Sequence, residues 1–415
     1  MKLRNANINK TIKSILPALA FLMLFTGVSN RISAQSPFET PLSDKATVSL
    51  LTASPGSEVY SQYGHTGIRI SDPVRHFDLV FNYGLFDFNS PNFIWRFVKG
   101  ETDYMVGACS FMDFMLEYQM DNRGVTEQVI NLGQKEKEAI WQALVENIQP
   151  ENRTYRYNFF FNNCATKPRD ILTKNIAGNV DYQWKGKFKT LREEVHYYTA
   201  QYPWTQFGID FTLGAQADDP ASLRSQQFAP GLLMESFSKA VIKGDSAKIR
   251  PLVTETLHPA TVDNSLIEKT PWAPGPVLVM WTVFLVVAAL SYMEFKKGKT
   301  FHWLNAVLFM ATGLVGCLIA FLVFFSEHPT TNVNFLLLWL HPFHLVYVLC
   351  LIVPAFRKKI AGIYLSINLP FQIFALAGTL FLPQSLHPAV YPILLSLMLR
   401  SGLAAFPLLK KKNHA

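Results

Sequence analysis

Residues Tyr155 to Leu172, YRYNFFFNNCATKPRDIL, decide how the chain is read. Tyr155, Tyr157, Phe159 and Phe161 alternate with Arg156, Asn158 and Phe160, the period of a strand with one face mostly buried. Asn162 and Asn163 break the alternation and Cys164 follows at once, after which Ala165, Arg169, Ile171 and Leu172 suit a helix. A cysteine at a strand-to-helix junction lies near unpaired backbone N–H groups and the positive end of the helix dipole. Both favour the thiolate, which is the nucleophile. Cys164 is therefore the candidate nucleophile. Pro168 has no N–H and is tolerated only in a first helical turn, so the helix is expected to begin after Cys164.

Upstream, residues 46–53, 68–70 and 76–82 have strand patterns, and residues 135–148 form an amphipathic helix pattern. Residues 185–260 look mainly helical. Strands first, then helix, strand and helix again, define an α+β domain. A thiol nucleophile needs a base, and the candidate is His65 in YGHTGIRI (63–70), where Gly64 and Gly67 permit close backbone approach. His76 is the candidate to orient the imidazole, with Asp78 as a rival, and backbone N–H groups around Cys164 with Asn163 would hold an oxyanion.

Both ends of the chain point to a membrane. Lys2, Arg4, Lys10 and Lys13 precede an apolar run from Ile15 to Val28 and a cleavage-like Ile32-Ser33-Ala34, so residues 1–34 are expected to be an export signal. Five apolar stretches, 275–294, 301–325, 335–356, 361–382 and 389–408, are each long enough to span a bilayer. Lysines and arginines follow the first, third and fifth, whereas the loops 326–334 and 383–388 contain none. The positive-inside rule then places a 35–260 domain in the periplasm, a 261–274 linker, an all-α five-helix 275–408 membrane domain and a cytoplasmic 409–415 tail at the inner membrane. Between residues 35 and 293 there are 23 basic and 28 acidic residues, so the formal +8 resides in the signal, loops and tail. A nucleic-acid partner is not expected.

The order His65, His76, Asn163-Cys164 resembles the circularly permuted papain-like group that includes lecithin:retinol acyltransferase and NlpC/P60-related proteins. A closer resemblance spans most of the chain. Gly64-His65-Thr66, Phe81-Asn82-Tyr83-Gly84 with Phe86-Asp87-Phe88, Asn163-Cys164-Ala165-Thr166 with Arg169-Asp170, and Phe325-Ser326-Glu327-His328-Pro329-Thr330-Thr331 look like Bacteroidota membrane proteins with an Lnb-type N-terminal periplasmic domain. That resemblance implies a cofactor-free lipoprotein N-acyltransferase with Cys164 and His65 as its catalytic pair. The enzyme would move an acyl chain from a phospholipid donor to the N-terminal amine of a diacylated lipoprotein. A membrane-anchored papain-like hydrolase (peptidase, amidase or lipid esterase) and a non-catalytic scaffold are the alternatives.

Other residues carry lesser expectations. His328, His341 and His344 fall near the extracytoplasmic ends of the spans and are candidate substrate contacts or helix-end residues; their spacing matches no familiar metal site. Arg400, inside the fifth span, is either a pairing site or snorkels to the nearby face. Cys109, the other cysteine of the exported domain, could form a disulfide with Cys164 and leave the domain a binding module.

Overall fold

The computed structural model describes residues 38, 40–87, 90–244, 249–263 and 273–412, except the side chains of 355, 358–360 and 405–412. The export signal at 1–34, most of the 261–274 linker and the basic side chains of the tail lie outside the described residues.

The N-terminal domain is built on one seven-stranded antiparallel sheet. Its strands are β1 (Thr47–Ala53), β2 (His65–Asp72), β3 (Phe77–Leu85), β4 (Asp103–Ser110), β5 (Val125–Ile130), β6 (Thr154–Arg156) and, last in sequence, Val253–Ala260. In space the order is Val253–Ala260, β5, β1, β2, β3, β4, β6. The central β1 is buried along nearly its whole length because the sheet carries cover on both faces. Helix α1 (Phe93–Lys99) precedes β4 and α2 (Phe111–Met120) follows it directly. Phe114 and Tyr118 of α2 pack with Leu51, Ala53 and Val80 of the sheet. The amphipathic α3 (Gln134–Asn147) buries Ile140, Trp141 and Leu144.

The pattern at 155–161 marks burial but not a long strand. β6 stops at Arg156, and the chain then turns, with Asn158 Oδ1 accepting from the N–H groups of Phe160 (3.2 Å) and Phe161 (3.0 Å). An asparagine that bonds its own downstream backbone favours a turn over a ladder. The helix α4 (Thr166–Lys174) begins two residues after Cys164 with Pro168 in its first turn, as that proline requires. Beyond it lie α5 (Leu191–Thr199), α6 (Pro203–Thr212) and α7 (Pro230–Lys239), whose core is formed by Val195, Phe228 and Leu232 with Tyr63 and Phe160.

The C-terminal part is helical: α8 (Pro276–Lys297), α9 (His302–Phe325), α10 (Phe343–Ile352), α11 (Pro354–Gly378) and α12 (Val390–Lys412). Four segments among the described residues are long and apolar enough to cross a membrane, namely Pro276–Lys297, His302–Phe325, Phe335–Ile352 and Ala361–Gly378, and Val390–Ala404 is a shorter apolar helix. The third segment is not one continuous helix. It opens with a 3-10 turn at Phe335–Leu338, and only after Pro342 does α10 start. Pro354 then begins α11 only two residues after α10 ends, so the 335–356 and 361–382 boundaries expected from hydropathy are displaced. Arg400 is buried and paired, and does not snorkel. It meets Glu294 Oε2 at 2.7 Å and donates to Asn305 Oδ1 (2.7 Å) and Ser291 Oγ (2.9 Å).

The sheet domain rests on the helix ends whose loops contain no lysine or arginine. Glu327 N–H donates to Lys99 O (2.8 Å), Gly214 N–H to Thr330 O (2.7 Å) and Ala215 N–H to Val333 O (2.7 Å). Arg156 of β6 pairs with Glu327 at 2.8 Å, and Gln384 donates to Leu213 O at 3.1 Å. Loops 326–334 and 383–388 therefore lie on the same side of the helices as the sheet domain.

Removing one member of the buried Arg400 pair is predicted to be costly. Arg400→Met leaves Glu294 uncompensated, a penalty of about 3–5 kcal/mol. Its melting temperature in detergent is expected to fall sharply, and Arg400→Met combined with Glu294→Gln is expected to recover part of the loss. An equal loss in the single and double variants would show that the pair is not coupled.

Candidate active site

The site forms where β3 leaves β2. The two strands pair from Asp72 opposite Phe77 down to Gly67 opposite Asn82, and no further. His65 and Gly67 share one face of β2, as alternate residues of a strand do. Asn82, opposite Gly67, therefore lies diagonally from His65, within reach of a side-chain contact. Gly67 makes the room: a Cβ there would fall 2.9 Å from Val80 Cγ1 and 3.3 Å from Asn82 Oδ1. His65 Nε2–H donates to Asn82 Oδ1 at 3.3 Å. That bond fixes the proton on Nε2 and leaves the Nδ1 lone pair free to act as a base. The imidazole stacks on Tyr118 of α2, with ring centroids 6.3 Å apart.

Cys164 occupies the gap opened by the divergence. The backbone N–H of Thr66, the residue after His65, points at its sulfur, as does its own N–H. Gly84 closes the other side. It has φ +95°, and a Cβ on it would come within 3.3 Å of Cys164 Cβ, so both its conformation and its size are required. Asn163 locks the cysteine in place. Its Oδ1 accepts from Ala165 N–H and Thr166 N–H (both 2.9 Å), while its Nδ2 donates to Phe159 O (2.8 Å) and Phe228 O (2.9 Å). Asn163→Ala removes the acceptor for two N–H groups at the start of α4 and the donor to two carbonyls, a loss of about 1–3 kcal/mol.

Three sequence expectations change here. Asn163 is not free to hold an oxyanion, because its amide is fully engaged; the donors facing the sulfur are backbone N–H groups. His76 sits exposed at φ +56° in the β2–β3 turn, at the far end of β2 from His65, and cannot orient the imidazole. Asp78, its rival, pairs with Arg69 at 2.6 Å. Asn82 occupies the orienting position instead. It stood in the Phe81-Asn82-Tyr83-Gly84 motif without a role, and only the hairpin register reveals its neighbour.

The electrostatics also differ from expectation. Burial pushes the Cys164 thiol up to about 11, against the downward pull of the Thr66 and Cys164 N–H groups. Burial pushes His65 down to about 4, although the bond to Asn82 opposes it. At neutral pH both shifts favour a neutral thiol and a neutral imidazole over a thiolate–imidazolium pair. The loss of solvent outweighs the helix-end field on which the thiolate expectation rested. Cys109 is a free thiol, as is Cys164. It pairs across the sheet with Val80, and Asn82 Nδ2 lies 3.4 Å from its sulfur.

The membrane-side histidines do not join this site. His328 Nε2–H donates to Phe97 O at 2.9 Å and so docks its loop on α1. His344 is fully buried, with Nε2 bonded to Trp339 O and Nδ1 to Tyr364 OH, both at 2.7 Å. His341 bonds Asn368 Oδ1 at 2.9 Å. These bonds satisfy the interrupted third span and tie it to α11, the helix-end role.

A membrane protein whose α/β domain sets a half-buried cysteine against the backbone next to an asparagine-held histidine is the class these features define. Comparison with known families narrows it. Residues 38–196 match the Lnb N-terminal periplasmic domain, and residues 268–412 match the Lnb transmembrane domain. The chain belongs to the Lnb family. No curated protein and no solved structure matches it.

The paired shifts predict a distinctive pH response. Iodoacetamide alkylation of Cys164, followed by peptide mass spectrometry, is expected to rise about tenfold per pH unit from pH 7 to pH 9, because the thiolate fraction grows toward a pKa of about 11. A plateau at neutral pH would reveal a thiolate–imidazolium pair instead. The same maps, run without reductant, are expected to show Cys109 and Cys164 as separate thiols.

Proposed function

We propose that this protein is a lipoprotein N-acyltransferase of the inner membrane, with its sheet domain in the periplasm and its C-terminus in the cytoplasm. The carrying observation is the Cys164 sulfur set against the Thr66 N–H, beside a His65 whose tautomer Asn82 holds, in a domain docked on membrane-length helices. The family's domain pair, a papain-like order of His and Cys, and five apolar segments support the same reading.

The chemistry runs in two halves. The Cys164 thiol attacks the ester carbonyl of a phospholipid acyl chain as its proton passes to His65 Nδ1. The backbone N–H groups of Thr66 and Cys164 stabilise the oxyanion. The ester C–O bond then breaks, His65 returns the proton to the leaving oxygen, and lysophospholipid departs from a thioester. The N-terminal amine of a diacylated lipoprotein attacks that thioester, a C–N bond forms, and the C–S bond breaks. His65 carries the amine proton to sulfur, which regenerates the thiol. Neutral His65 is the competent form when the thiol attacks, so thioester formation is expected to hold across pH 6–8 and to fall only as pH drops toward about 4, whereas transfer to the amine also requires that amine to be unprotonated. Burial of the pair serves the transfer as well, because a thioester exposed to water would hydrolyse.

The test is mass spectrometry of a lipoprotein N-terminal peptide, in a host without its own N-acyltransferase, expressing this chain or Cys164→Ala. The expected result is a third acyl group with the native chain and none with the variant. A lipoprotein that stays diacylated in both, with free fatty acid released by the native chain, would establish the hydrolase instead. Asn82→Ala is expected to slow acylation by about 10²-fold with the donor KM unchanged, because it releases the imidazole without touching the lipid.

A further inference from the structure

Helix α1 lies beside the outer end of a membrane-length helix and carries an apolar face that the described protein leaves largely exposed. Ile94 is 77% and Trp95 58% exposed. The Trp95 ring packs on Phe321 of α9, with centroids 4.8 Å apart. Phe321 is one turn inside the end of that helix, about 6 Å from it along the axis. Two further contacts fix the height: Ser326 Oγ donates to Val98 O (3.1 Å), and Glu327 N–H donates to Lys99 O (2.8 Å). The neighbouring Phe324 and Phe325 of α9 are exposed as well, so the apolar surface of α1 continues the surface of the spanning helix. The cations of α1 are already neutralised, Arg96 by Asp103 and Lys99 by Glu101. An apolar surface at that depth, with a tryptophan at its edge, is suited to the headgroup–acyl boundary.

From α1 a run of stacked rings leads inward. Phe93 stacks on Phe86 (5.7 Å), Phe86 on Tyr104 (4.9 Å) and Tyr104 on Tyr157 (4.0 Å). The inner part of the run lies beside the nucleophile: Gly84, two residues before Phe86 in the chain, sits so close to Cys164 that a Cβ on it would come within 3.3 Å of the Cys164 Cβ. The track thus runs from the membrane-level helix toward the nucleophile through half-buried and buried aromatic rings.

We propose that α1 is embedded in the outer leaflet and that a phospholipid acyl chain reaches Cys164 from the side, along the ring track from Phe93 to Tyr157. This rests on the acyl-donor reading above and names its route. Reading and route can fail separately, because contact with lipid is measured without acyl transfer.

The experiment places the photo-cross-linker p-benzoylphenylalanine at position 94, 86 or 74 in the full chain carrying Cys164→Ala. Each protein is reconstituted into phosphatidylethanolamine–phosphatidylglycerol vesicles. Val74, exposed in the β2–β3 turn, is the remote control. Phospholipid adducts at 94 and 86, at least tenfold above those at 74, are the expected result. An adduct at 94 without one at 86 would overturn the track, and equal labelling at all three positions would overturn both parts. A second measurement does not need an unnatural residue. Brominated phospholipid is expected to quench part of the native fluorescence, and Trp95→Phe to remove that part; the same quenching in both proteins would show that α1 lies outside the bilayer. Adducts at 94 and 86 beside a lipoprotein that stays diacylated would keep the lipid route and discard the transferase.

Discussion

The pairing of β2 with β3 ends at Gly67 opposite Asn82, and the site depends on that stop. One more residue pair in the ladder would fill the gap in which Cys164 sits and would engage the Thr66 N–H. The missing side chain at Gly67 lets Asn82 lean toward His65, and the positive φ of Gly84 carries β3 away from β2. Two glycines and a register therefore convert an ordinary hairpin into a place where a histidine, an asparagine and a cysteine meet. Because the side-chain period of a strand is two, a slip of one residue would put Asn82 on the opposite face and dissolve the arrangement.

Burial sets how the pair works. In a wet cleft the helix-start N–H groups would lower the thiol; in this site the absence of water raises it and lowers the imidazole more strongly than those groups can oppose. Both shifts favour the neutral forms, and in the proposed reaction the proton moves as the electrophile arrives. That suits chemistry on a lipid ester, where a standing thiolate would be open to oxidation and its thioester to hydrolysis. The same apolar surroundings, built from Tyr104, Tyr118 and Tyr157, suit an acyl chain.

The membrane part positions the sheet domain more than it supplies chemistry to it. Several of its conspicuous polar residues pair with one another, Arg400 with Glu294, Asn305 and Ser291, His344 with Tyr364 and Trp339, His341 with Asn368, whereas the amide of buried Gln372 and Nδ1 of His341 have no hydrogen-bond partner among the described residues. Unpaired polar groups are costly in a bilayer, which favours this internal pairing. The loop that carries Glu327 and His328 turns outward instead and holds α1 and β6 against the end of α9.

Much of this protein was legible in its residues alone. Apolar runs separated by loops with and without lysine and arginine mark a membrane domain, because transfer into a bilayer depends on composition and length. Cys164 before a helix, Pro168 in its first turn and His65 opening a strand are local patterns, and local patterns follow from adjacent residues. The third apolar stretch is membrane-length as expected, but hydropathy does not register its interruption between Leu338 and Phe343, and among the described residues the fifth forms a shorter apolar helix than expected. Asn82 in place of His76, the full engagement of Asn163, and the neutral state of Cys164 and His65 could not be read in this way. They depend on which residues lie opposite one another across the sheet and on how much water the packed helices exclude, and only the folded chain decides either.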